Sequence, residues 1–310
     1  MNRGPRRNDA TAVRPLARIA WGLCNLVVGF SPAGAAIHPT GPPTVTVPVE
    51  ISGSTVFMPV RVNGSSPLWF ILDSGANSCV LDHVRAREVG LREIGTGNGS
   101  GAGSGPVPYR RYRNVRFDVG GARFRSEHLI SLDLSNQPAI LGRPVDGILG
   151  SDLFQRFVVE IDYEAKVVRL HEPATFRYTS DGEVLPLSFE RRLPYVVAIL
   201  SVPGQPPEQR RLLVDTGSQD AVDDSLLLRS SGQMREVTGG VGMGQTYSVK
   251  LGKFAQVRLG RLALENVPGV APGVCLVGTE VLRRFRMIFD YRRAQLILEP
   301  NRHLREAFPD

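Results

Sequence analysis

The chain has 310 residues, 42% of them hydrophobic and 22% charged, which is the composition of a folded globular protein rather than of a disordered or fibrous one. Its formal net charge of +7 points, taken alone, toward nucleic acid or an anionic membrane surface. The three cysteines, Cys24, Cys79 and Cys275, are too few and too far apart for a Cys-rich zinc site or a disulfide framework. The five histidines form no HExxH, so no metal site is expected.

In chain order, the first feature is an export signal. Residues 1–35 carry Arg3, Arg6, Arg7, Arg14 and Arg18 against a single Asp9, then an apolar run from Ile19 to Phe30, then Ala33-Gly34-Ala35. Basic, apolar and small residues in that order define a secretory signal peptide. The expected destination is the periplasm or the medium. The twelve-residue apolar run is short of the roughly 20 residues that a spanning helix needs. No stable membrane span is therefore expected after cleavage, and an uncleaved N-terminal anchor is the alternative. The remaining 275 residues carry 32 basic and 29 acidic side chains. More than half of the net charge thus leaves with the signal, and no nucleic-acid partner is expected.

From about residue 43 onward, short β-rich runs alternate with Gly and Pro. Thr44–Ile51 alternates apolar and polar residues, Val56–Val62 and Leu68–Leu72 continue the series, and helical patterning is confined to Leu81–Val89, Asp223–Arg229 and the turns after Gly150 and Gly278. Many short strands broken by turn residues predict an all-β fold.

Self-comparison divides the chain in two. Trp69–Ala76 resembles Arg211–Ser218, with Asp73 and Asp215 142 positions apart. Thr96-Gly97 and Thr238-Gly239 lie at the same offset, and Val115–Gly121 resembles Val257–Arg261. Gly147–Phe154 then matches Cys275–Leu282, and Phe157–Tyr163 matches Phe285–Tyr291, both at an offset of 128. The second half therefore lacks 14 residues between its third and fourth landmarks. The expected organisation is a first lobe at 43–172, a linker at 173–183 and a second lobe at 184–300.

Each half delivers an Asp from an apolar strand, followed by a hydroxyl residue, Gly and a small residue. One copy alone reads as a strand followed by an Asx-type turn. Two copies at matching repeat positions bring the two carboxyls together on a pseudo-two-fold axis. Carboxyls about 3 Å apart do not both ionise readily and share one proton. The ionised member then draws a proton from water and the protonated member donates to a carbonyl oxygen.

At these residues the chain resembles the pepsin and retropepsin superfamily of aspartic peptidases, most closely the bacterial retropepsin-like proteins, over about residues 43–300. The resemblance implies a bilobal all-β fold of two retropepsin-like barrel lobes with few short helices. It implies Asp73 and Asp215 as the catalytic pair, with Ser74 and Thr216 as an interlocking hydroxyl grip beneath them. Gly75, Ala76, Gly217 and Ser218 would complete the loops, and Gly150 and Gly278 would mark the chain crossings behind them. The Gly-rich stretches Gly95–Gly105 and Gly239–Gly244 would be substrate-covering flaps, with one of Tyr109, Tyr112 or Tyr247 available over the pair, although each taken singly reads first as a strand or surface Tyr. The implied activity is endopeptidase cleavage of a polypeptide by a monomer, with no cofactor. A catalytically silent peptide-binding protein of the same fold in the cell envelope is the alternative, and a non-catalytic envelope β protein a further one. Ala76 replaces the Ser of the second loop and removes a possible hydrogen bond to Asp73. This favours a higher carboxyl pKa and a mildly acidic optimum.

Other residues have plainer readings. Asp146 and Asp152 read as turn and cap residues, and Asp162 and Asp290 as hairpin ends. Arg191-Arg192 and Glu208–Arg211 read as solvated strand ends. Cys79 and Cys275, in different lobes at non-equivalent landmarks, read as unpaired.

Overall fold

A computed structural model describes residues 44–99, 106–239 and 247–308. The expected export signal and the tips of both Gly-rich stretches lie outside the described residues. Strands dominate, and the longest α-helices, His83–Glu88 and Ser151–Arg156, have six residues each.

A six-stranded sheet joins the two halves. Its order is Thr44–Pro48, Val167–His171, Val158–Asp162, Phe285–Asp290, Gln295–Pro300 and Glu183–Pro186. Three strands come from each half, and they meet where Val159 faces Phe289 and Ile161 faces Met287 in antiparallel register. Alternation directs Val159, Ile161, Met287, Phe289, Leu296 and Leu298 into one core cluster that draws on both halves. The opposite face carries Val158, Ile288 and Ile297, which are buried because Phe176 and Tyr178 pack over them. These two aromatics belong to the stretch read as the linker, so it lies along the shared sheet. The matching residues Asp162 and Asp290 end their strands in turns. Their Oδ1 atoms accept hydrogen bonds from Ala165 N–H at 2.9 Å and Arg293 N–H at 3.0 Å.

Each half adds its own sheet, of ten strands in the first and eight in the second. The 14-residue difference has a structural explanation. In the first half a helix, Gln137–Leu141, stands between the strands Leu129–Leu132 and Gly147–Leu149. In the second half the strand Leu262–Ala271 is followed almost directly by Leu276–Val277. The helix escaped sequence reading because it has only five residues, with Pro138 in its first turn and Gly142 as a left-handed C-cap. The second half is also more continuous. Tyr247–Leu259 runs unbroken for 13 residues, whereas its counterpart is split into Val107–Tyr112 and Val115–Val119 around Asn114 at φ 57°.

The readings of Asp146, Asp152 and two of the arginines are corrected. Asp146 caps no helix. Its Oδ2 accepts from Trp69 N–H at 2.7 Å and its Oδ1 from Arg85 Nε at 2.7 Å. Asp152 accepts from Cys79 N–H at 2.8 Å through Oδ2 and from Arg192 Nη2 at 2.7 Å through Oδ1. Arg192 is thus no solvated strand end. It reaches from the second half to the first, donating also to Asn77 O at 3.2 Å and Gln155 Oε1 at 2.8 Å. Arg210 likewise pairs with the fully buried Asp224 at 2.8 Å. A half-solvated guanidinium serving a buried carboxylate is worth more than a surface pair and less than a fully buried one. Arg192→Ala is therefore expected to cost about 1–3 kcal/mol of stability, read as a lower denaturant midpoint at unchanged m-value.

Candidate active site

The two Asp loops are built alike. The strand Leu68–Leu72 ends at Asp73 and runs parallel to Gly147–Leu149. The strand Glu208–Val214 ends at Asp215 and runs parallel to Leu276–Val277. Asp73 N–H donates to Leu149 O, and Asp215 N–H to Val277 O, each at 3.0 Å. The crossing segments then pass so close behind the loops that no side chain fits. A Cβ at Gly150 would lie 2.3 Å from Ser78 O, and one at Gly278 would lie 2.4 Å from Asp220 O. Substituting Ala at either position is expected to abolish soluble expression or lower the melting temperature by more than 10 °C, because backbone atoms cannot yield as a side chain would.

Beneath the aspartates the loops interlock through four bonds. Ser74 N–H donates to Thr216 Oγ1 at 2.9 Å, and that hydroxyl donates to Leu72 O at 3.0 Å. Thr216 N–H donates to Ser74 Oγ at 3.0 Å, and that hydroxyl donates to Val214 O at 2.6 Å. Each hydroxyl accepts from the opposite loop's backbone and donates to the strand that leads into it. The arrangement needs a donor-acceptor group at both positions, and Ser and Thr both supply one.

Above this grip the carboxyls meet. Asp73 Oδ1 accepts from Gly75 N–H at 2.8 Å. Asp215 Oδ1 accepts from Gly217 N–H at 2.9 Å and Ser218 N–H at 3.2 Å. A Cβ on Gly75 would lie 2.6 Å from Asp215 Oδ1, and one on Gly217 would lie 2.4 Å from Asp73 Cγ. Each glycine therefore receives the opposite carboxyl against its Cα. Neither adopts a left-handed φ, so the close approach of the opposite carboxyl explains the residue type. Both aspartates are fully buried. Burial pushes the Asp73 carboxyl well above the ordinary range, the neighbouring Asp215 charge raises it further, and hydrogen bonds from Gly75 and Ala76 N–H oppose the rise.

The outer residues of the loops tie them to the crossings. Ala76 O accepts from Ser151 N–H at 2.9 Å. Ser218 O accepts from Thr279 N–H at 2.8 Å and from its hydroxyl at 2.7 Å. The Ser218 hydroxyl accepts from Asp220 N–H at 3.3 Å.

The described parts of the Gly-rich stretches belong to antiparallel strand pairs. Gly95–Gly99 pairs with Val107–Tyr112, and Arg235–Gly239 with Tyr247–Leu259. Tyr109 lies across Gly97, where a Cβ would come within 2.5 Å of its hydroxyl. Its ring packs in the apolar cluster that contains Phe57, Ala76 and Ile148. Tyr112 belongs to the main core, with its hydroxyl 3.2 Å from Ser131 Oγ. Tyr109 and Tyr112 are thus strand residues, and the side chain of Tyr247 lies outside the described residues.

Sequence reading missed three acids that follow the second loop. Asp220, Asp223 and Asp224 are all buried. Asp224 pairs with Arg210. Burial, reinforced by Asp215, pushes Asp220 up to about 8. Burial also raises Asp223 well above the carboxylate range, reinforced by Asp220, Asp215 and Asp224. An acid whose folded pKa exceeds its unfolded value favours the native state below the unfolded value. That contribution is lost as pH rises through the folded one. Stability should accordingly fall between about pH 4 and pH 8. Asp220→Asn is expected to raise the melting temperature at pH 8 by several degrees and to change it little at pH 4. Equal shifts at both pH values would contradict the assignment.

Among the described residues no three His, Cys, Asp or Glu side chains are placed to hold a metal ion, and no helix is long and apolar enough to cross a membrane. Cys79 and Cys275 are free thiols.

Residues 58–153 match the model of the family described as aspartyl protease. The matched segment, less than a third of the chain, spans the first Asp loop and its Gly150 crossing. A search of curated proteins found no match.

Proposed function

We propose that the chain is an aspartic endopeptidase in which Asp73 and Asp215 share one proton and activate a water. The observation that carries this reading is the reciprocal placement of the carboxyls, each lodged against the other loop's glycine over a reciprocal hydroxyl grip. The low-polarity surroundings keep one carboxyl protonated while its partner is ionised. The ionised member takes a proton from water as that water attacks the scissile carbonyl. The protonated member donates to the carbonyl oxygen, and the tetrahedral adduct then collapses with proton transfer to the leaving amine. Neither metal nor covalent enzyme intermediate takes part.

A polypeptide would lie extended between the lobes, beneath the strand pairs Gly95–Gly99 with Val107–Tyr112 and Arg235–Gly239 with Tyr247–Leu259. The enzyme acts as a monomer outside the cytoplasm, with residues 1–35 removed as the export signal. The test is digestion of a denatured protein and a peptide library from pH 3 to pH 8, with and without a pepstatin-type inhibitor. Cleavage sensitive to the inhibitor supports the reading. A chain inert throughout that range refutes it and leaves the silent peptide-binding alternative.

A further inference from the structure

The faces of the two lobe sheets that carry those strand pairs differ in one decisive residue. In the first lobe this face is a continuous apolar cluster in which Val80 faces Ile148 across one strand pair and Ile130 across the other. In the second lobe Asp223 occupies that place, opposite Leu276 on one side and Val270 on the other. The apolar surface is correspondingly split. Leu193, Leu213 and Leu276 form one small cluster, and Val249 and Val270 another. Asp223 has no exposed surface, and both of its carboxylate oxygens lack a hydrogen-bond partner. Asp220, whose charge is felt at Asp223, leaves its own Oδ2 unpartnered as well.

A buried carboxyl with neither oxygen satisfied is destabilising. Evolution tolerates such a cost at sites that receive a ligand. Asp73 and Asp215 are equally buried, so whatever parts to admit a peptide to the pair also admits a side chain to its neighbours. The complementary occupant is a cation long enough to reach past the backbone, because only a positive donor both satisfies the oxygens and holds the acids ionised.

Building on the endopeptidase reading, we propose that Asp223, assisted by Asp220, forms a subsite of the second lobe for a Lys or Arg side chain of the substrate. The first lobe, with Val80 at the equivalent place, presents an apolar subsite. The cleft thus reads a substrate asymmetrically, with a basic residue on one side and an apolar one on the other.

The experiment uses the Asp73→Asn variant, so that peptides stay intact, and a fluorescent hexapeptide with Lys or norleucine placed in turn at each position. Binding is read by anisotropy at pH 6. At one position Lys should bind roughly 10–100-fold more tightly than norleucine. Adding Asp223→Val should erase that preference, since it gives the second lobe the apolar lining that Val80 gives the first. Asp223→Asn, which conserves shape, should erase it too and guards against a repacking artefact. Equal binding of Lys and norleucine at all six positions overturns the proposal, as does a preference that survives both substitutions. Cleavage by the unmodified chain separates the two ideas. Hydrolysis of norleucine peptides without Lys preference sinks the subsite alone, whereas Lys-selective binding without hydrolysis sinks the peptidase reading alone.

Discussion

Asp215→Asn should lower kcat/KM for peptide hydrolysis by about 10⁴-fold or more, because the pair's acid and base roles each contribute about 10²–10⁴-fold. Asp73→Asn should do the same, and the double variant should be scarcely worse than either, since groups that act as a unit are not additive. The fold should survive. Asn keeps the shape of Asp, and its amide oxygen can still accept from Gly75 N–H or Gly217 N–H. A neutral side chain also removes the repulsion that raises Asp73. Melting temperatures of both variants at pH 7 should therefore equal or exceed that of the unmodified chain. Lost activity with gained stability is a signature that a merely structural Asp turn would not give. Such a turn would lose stability and leave hydrolysis, if any, untouched.

Thr216→Val tests the grip that positions the pair. Val matches Thr in shape but neither donates nor accepts, leaving Ser74 N–H and Leu72 O buried without the partners they have now. Each orphaned group costs about 1–3 kcal/mol, so the loss should be about 2–6 kcal/mol. Thr216→Ser retains the hydroxyl and should recover most of it. Equilibrium unfolding of the three proteins at one pH makes the comparison. Because the grip also sets the distance between the carboxyls, kcat should fall in Thr216→Val and return in Thr216→Ser. Equal stability of Thr216→Val and the unmodified chain would show that the two bonds of the Thr216 hydroxyl contribute little.

The core of the candidate site was legible in the sequence for a physical reason. A shared site on a pseudo-two-fold axis demands the same residue types twice, so Asp73, Ser74 and Gly75 recur as Asp215, Thr216 and Gly217. The crossings recur too, as Gly150 and Gly278, because each passes within van der Waals distance of a carbonyl. What the sequence hid depends on register and on distant partners. Asp223 takes the place of Val80 only because the second lobe's strand pairing is shifted by one residue. Val80 faces Ile148, at 128 before Leu276, whereas Leu276 faces Asp223 rather than Val222. A one-residue slip moves a side chain to the other face of a sheet, and no offset between motifs reveals it. Arg192 was hidden differently. In sequence it belongs to a charged turn, with φ 48° at Arg191 and 73° at Arg192, and its partner Asp152 lies in the other half.

The proposed mechanism depends on two carboxyls that share a proton in a dry site, and the pH dependence of kcat/KM on an uncharged peptide tests it most directly. The predicted profile is a bell whose limbs report the pair's two titrations, with its maximum in the mildly acidic range, about pH 4–6, because burial and mutual repulsion raise the second ionisation. A maximum below pH 3, or no hydrolysis at any pH from 3 to 8, would contradict it.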